Sequence, residues 1–118
     1  MDLSKRTMQE VWDHHGKAVA DQDVDEFLKD FSDDCVMITP QRVYRGHGEI
    51  ADWFQNFLIP ILEDAEFLSD GPVFEQNVIF LKWDMESKTH TVKDATDTFI
   101  VEDGRFGILT VNINAIPK

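Results

Sequence analysis

A chain of 118 residues with 42% apolar side chains, nine Phe and three Trp can build one hydrophobic core and one internal cavity, so residues 1–118 are expected to form a single domain. The formal charge of −12, from 23 acidic against 11 basic side chains, repels phosphate backbones and anionic headgroups; neither nucleic acid nor membrane is an expected partner. Cys35 is the single cysteine, which excludes an internal disulfide or a CxxC motif, and with no apolar leader core and no bilayer-length apolar run a cytoplasmic protein is expected.

Met8, Val11, Trp12, His15, Ala18 and Val19 recur at helical steps, which predicts a first helix from about Ser4 to Ala20 with one inward stripe. His15 sits in the middle of that stripe. Asp21-Gln22-Asp23 breaks the pattern, and Asp23 or Asp25 is placed to cap a short second helix carrying Phe27, Leu28 and Phe31. Ser32-Asp33-Asp34 ends it. Cys35 to Thr39 then reads as a strand stopped by Pro40. A third helix opens between Gly46 and Gly48 and carries Ile50, Trp53, Phe54, Phe57, Leu58 and Ile61; Pro60 should kink or end it near Ile59.

From Glu66 the apolar period falls from 3.6 to 2. Phe67-Leu68 and Val73-Phe74 mark a strand interrupted at Asp70-Gly71-Pro72, and Ile79, Leu81, Trp83 and Met85 form one face of the next. His90 to Val101 and Phe106 to Ile116 are two longer strands joined by a tight Asp103-Gly104 turn. In the last strand Leu109, Val111 and Ile113 should face the helices, opposite Thr110, Asn112 and Asn114. The order predicts an α+β domain, three N-terminal helices packed on a strongly curved antiparallel sheet whose concave side encloses a pocket.

Ala20-Asp21-Gln22-Asp23-Val24-Asp25, then Phe31-Ser32-Asp33-Asp34-Cys35-Val36, then Arg45-Gly46 opening a helix with Ile50, resemble the SnoaL-like and ketosteroid-isomerase-like proteins of the nuclear transport factor 2 superfamily. The stretch Asp97 to Phe106 resembles that family's ending, and the likeness runs from about Arg6 to Ile113. It implies a cystatin-like conical barrel with a deep pocket, dimeric through the outer face of the sheet. Relatives span isomerases, cyclases, dehydratases, epoxide hydrolases and non-catalytic binders, so the fold does not choose a reaction. Ketosteroid isomerases carry their base, an aspartate, just before a proline on the first strand; here that position is Thr39, before Pro40. Their oxyanion tyrosine on the first helix corresponds to His15, and their protonated oxyanion-hole aspartate to Asp97. Steroid isomerisation is therefore not the expected reaction.

His15 and Asp97 are the candidate catalytic residues. A histidine titrates near neutrality, and a carboxyl on the strand face of Phe99 and Val101 is an unusual inward acid. His15 is expected to move a proton, with Asp97 orienting it or stabilising an enolate. Hydrogen-bond contact between the two, directly or through one water, is also expected. Trp12, Met37, Thr39, Trp53, Phe57, Phe99 and Val111 are the candidate pocket wall, with Tyr44 and Arg45 near its mouth. His14 points about 100° away from His15, and no His, Cys or carboxylate spacing suits a metal, so neither metal nor cofactor is expected. The expected partners are an apolar, oxygen-bearing small molecule and a second copy of the chain. The competing reading is a non-catalytic ligand-binding or dimerisation module.

Overall fold

The computed structural model describes residues 2–118. A short 3₁₀ turn at Leu3–Lys5 precedes α1, Met8–Asp21, so the first regular helix begins with the apolar stripe at Met8, later than the expected Ser4. The reason is a capping box: the Thr7 hydroxyl accepts from the Glu10 amide while the Glu10 carboxylate accepts from the Thr7 amide. Val11 and Ala18 are buried, with Met8, Trp12 and Val19 half-buried beside them. Asp23 caps α2, Val24–Leu28, and places Phe27 in the core.

Strand β1 runs Phe31–Ile38, starting four residues before the expected Cys35, with an irregular register between Phe31 and Val36 that absorbs the polar Ser32-Asp33-Asp34. After β2, Val43–Arg45, helix α3 covers Gly46–Trp53. The chain then widens into a π-helical turn over Phe54–Leu58 and tightens into 3₁₀ at Ile59–Ile61. Pro60 explains both changes, because it has no N–H to continue the i→i+4 ladder; the Ile59 amide donates to the Phe54 carbonyl, five residues back.

Strands β3, Glu66–Leu68, and β4, Val73–Glu75, both pair antiparallel with β5, Val78–Glu86, on either side of the Asp70-Gly71-Pro72 interruption. Next come β6, His90–Glu102, and β7, Arg105–Asn112, joined through Asp103 and Gly104. These two residues have φ of 51° and 68°, the doubly left-handed turn that matches strand twist. The final β8, Ala115–Pro117, returns to the start of β6.

The sheet order is β2-β1-β7-β6-β5-β3. The sheet is mixed: β1 pairs parallel with β7, where an antiparallel sheet was expected. The excursion through α3 and the meander brings the last long strand back along the free edge of β1 in the same sense. Leu109 and Val111 are buried, Ile113 is half-buried, and Thr110, Asn112 and Asn114 are exposed, as the alternation predicts. Three helices therefore cover the concave face. Phe27 stacks on Phe54 with ring centroids 3.9 Å apart, joining α2 to the continuation of α3 inside the core.

Candidate functional site

A cavity of about 360 Å³ opens between α1, α3 and the concave sheet. Its wall is almost wholly apolar, built by Trp12 and Val19 from α1, Trp53 from α3, and Leu81, Phe99, Leu109 and Val111 from the strands. Three polar side chains border it: His15, Asp97 and Ser69. Of the expected wall, Trp12, Met37, Trp53, Phe99 and Val111 border the cavity.

Thr39 and Phe57 do not. The Thr39 hydroxyl is spent on the turn after β1, donating to the Arg42 carbonyl and accepting from the Gln41 and Arg42 amides. Phe57 falls in the π-helical turn, which rotates it away to stack on Trp53 at 5.7 Å. Tyr44 and Arg45 are also away from the wall; Tyr44 lies under the Arg42 guanidinium instead. Phe67 of β3 and Ser69, Gly71 and Pro72 of the β3–β4 connection also border the cavity, although Gly71 and Pro72 read in the sequence only as an interruption.

Asp97 is set into the wall by β6. Its Oδ2 accepts from Trp83 Nε1 at 3.1 Å, while Oδ1 is buried without a partner. Burial disfavours the carboxylate and outweighs the indole hydrogen bond, so the Asp97 carboxyl is pushed up to about 7. Trp83 was legible only as one apolar residue of β5. Cross-strand register supplies the contact, since Leu81 stands opposite Asp97 and Trp83 opposite Ala95.

His15 lies in an aromatic box, with the rings of Phe106, Phe99 and Phe27 at 5.2, 5.3 and 5.5 Å. Burial drives its pKa down to about 4, and the neighbouring His14 pushes the same way. His15 is thus a neutral imidazole at physiological pH. It makes no hydrogen bond or ion pair with Asp97: that carboxyl is bonded to Trp83, and the carboxyl nearest to His15 belongs to Asp30, whose Oδ2 lies 3.9 Å from Nδ1. The expected direct His15–Asp97 contact is therefore absent, although both side chains border one cavity.

Asp30, between α2 and β1, is fully buried and was not legible as special. Arg6, in the segment before α1, donates from Nη1 to Asp30 Oδ1 at 2.8 Å and from Nη2 to the Gly104 carbonyl at 2.8 Å. His14 reaches the same Oδ1 through Nδ1 at 2.7 Å and Glu26 through Nε2 at 3.2 Å. Burial raises the Asp30 pKa while Arg6 and His14 oppose it. Among the described residues no group of three His, Cys, Asp or Glu side chains is placed to hold a metal.

The SnoaL-like domain family model matches residues 12–106. The chain belongs to the SnoaL-like family. No curated protein matches it in sequence. Among solved structures, it is similar to a nuclear transport factor 2-like protein of unknown function from Cytophaga hutchinsonii, at 14% identity and a TM-score of 0.74 over 93% of this chain and 92% of that one. A ketosteroid isomerase-like protein from Kribbella flavida aligns at 11% identity and a TM-score of 0.73, over 89% of this chain and 76% of that one. TerC, co-crystallised with polyporic acid, aligns at 14% identity and a TM-score of 0.73 over 90% of each chain. At such identities these likenesses establish the shared fold. No helix among the described residues is long and apolar enough to cross a membrane.

Proposed function

We propose that this SnoaL-like protein binds a neutral, largely apolar small molecule bearing oxygen in the α1–α3–sheet cavity and moves a proton beside that oxygen, as in keto–enol interconversion. The observation that carries this reading is the Asp97 carboxyl, with one oxygen tied to Trp83 and the other buried without a partner in an apolar wall. A carboxyl poised at about 7 exists in both protonation states near neutral pH, which is what a general acid–base needs. His15, neutral at that pH, can orient a ligand by hydrogen bonding but carries little of the proton traffic. The roles suggested by the sequence are thus exchanged: Asp97 carries the proton and His15 positions the ligand. Similarity to a ketosteroid isomerase-like fold and to one co-crystallised with polyporic acid supports a small-molecule ligand for this chain.

The test is α-proton exchange of 2-tetralone in D₂O, followed by ¹H NMR with and without protein. Exchange above the buffer rate that disappears in Asp97→Asn supports the reading. Binding of 2-tetralone with exchange at the buffer rate makes the cavity a binding site only. We further propose a homodimer through the convex face of the sheet, where Ile38, Phe80 and Ile108 are 43%, 42% and 45% exposed around Thr98 and Thr110.

A further inference from the structure

Four buried side-chain atoms among the described residues lack a hydrogen-bond partner: Asp97 Oδ1, Arg6 Nε, Asp30 Oδ2 and His15 Nδ1. The last two face each other at 3.9 Å. Asp30 Oδ1 is already taken by Arg6 and His14, so Oδ2 is the oxygen left for His15. A guanidinium does not lose its proton in a protein, so Arg6 sets a permanent positive charge 2.8 Å from Asp30 Oδ1, while His14 meets the same oxygen through Nδ1. With Arg6 and His14 on Oδ1, the group facing His15 is a carboxylate.

We infer that Asp30 is a positioning residue that keeps the His15 proton on Nδ1 and leaves Nε2 as a lone-pair acceptor, so that the cavity selects ligands bringing an O–H donor: an enol, a phenol or an alcohol. A bare carboxylate oxygen beside Nδ1 favours a proton there, whereas free neutral imidazole favours Nε2. Nδ1 is enclosed, and the 13% of the side chain that stays exposed belongs to a ring bordering the cavity. This rests on the cavity being a ligand site, and it deepens that reading. His15 accepts the hydrogen bond of the ligand hydroxyl and orients it while the Asp97 carboxyl gives a proton to the carbon beside it. The hydroxyl proton, made acidic as the carbon gains one, passes to the Asp97 carboxylate and restores the carboxyl, so Asp97 both gives and receives the proton and His15 ends the step neutral. The electron pair of the O–H bond becomes the carbonyl π bond, and the former C=C pair forms the new C–H bond.

The tautomer can be read without any ligand. Long-range ¹H–¹⁵N spectra of the labelled full chain at pH 7, with the His15 signals assigned by their loss in His15→Gln, should show the proton on Nδ1 in most molecules. A proton mainly on Nε2 overturns the inference, since it would place the acidic proton of the pair on Asp30. In Asp30→Asn the amide oxygen can keep Arg6, which turns the amide N–H toward His15 and should move the proton to Nε2; a folded variant with the wild-type tautomer also overturns it. If that variant does not fold, the wild-type spectrum alone decides. Calorimetry with 2-naphthol and 2-methoxynaphthalene then reads the selectivity, with 2-naphthol expected at least tenfold tighter. Equal affinity overturns the selectivity, and binding of neither is a failure of the ligand-site reading, which leaves the tautomer result standing.

Discussion

Trp83 donates its indole N–H to one oxygen of Asp97 at 3.1 Å and leaves the other oxygen buried and unbonded on a cavity wall. A single donor does not replace the water that a carboxylate loses on burial, so the proton stays on to about 7. The consequence for stability has a definite sign. Between about pH 4 and pH 7 the unfolded chain has released this proton and the folded chain has not, so the Asp97 contribution to stability falls as pH rises through that window. Asp97→Asn removes the dependence. Urea melts at pH 5 and pH 8 should show the variant gaining on the wild type as pH rises.

His15 produces the opposite slope. Its folded pKa of about 4 lies below the 6.5 of an unperturbed histidine, so the unfolded chain takes up a proton first on acidification. Its contribution is complete above pH 6.5 and is lost toward pH 4; at the full shift it is worth roughly 3 kcal/mol. His15→Gln should therefore gain on the wild type as pH falls from about 7 to about 4.5, the reverse of Asp97→Asn. Parallel curves for the two variants would show that these groups do not titrate as described.

Neighbouring aromatic residues on α3 and its continuation should separate packing from cavity lining. Phe54 is fully buried and stacked on Phe27, so Phe54→Ala should destabilise by about 3–5 kcal/mol. Trp53 is half-buried and borders open cavity, so Trp53→Ala leaves less new void and should lose under about 2 kcal/mol. Its ligand affinity should fall more than its stability. Denaturant melts alongside calorimetry with 2-naphthol compare the two.

Two glycines should respond in opposite directions to alanine. At Gly104, with φ of 68°, an added Cβ would run into the Leu3 carbonyl, and the Gly104 carbonyl accepts from Arg6; Gly104→Ala should lose more than about 2 kcal/mol. Gly16 lies inside α1 with nothing within 4 Å of the place a methyl group would take, so Gly16→Ala should gain roughly 0.5–1 kcal/mol. Thermal melts measure both.

The convex face supplies the last prediction. Ile108→Lys places a charge among Ile38, Phe80 and Thr110 without touching the cavity. Light scattering should show a dimer for the wild type and a monomer for the variant, each with native circular dichroism. A monomeric wild type at micromolar concentration removes the dimer.

Periodicity by itself determined the helices on one side, the meander on the other, the Asp103-Gly104 turn and the inward set Leu109, Val111 and Ile113, because which face of an element is apolar is written locally. The inward placement of His15 and Asp97 was legible for the same reason. Local pattern could not determine which carboxyl His15 meets, since Asp30 reaches it across an α2–β1 junction and is held there by Arg6, 24 residues away in the chain. Nor could it remove Thr39 and Phe57 from the cavity: a turn hydrogen-bonding pattern withdrew the first, and a change of helical pitch before Pro60 rotated the second. The direction of the His15 shift was likewise undetermined, because it depends on how much water folding removes and which charges come within a few ångströms. Both are sums over residues distant in sequence, and only tertiary packing adds them up.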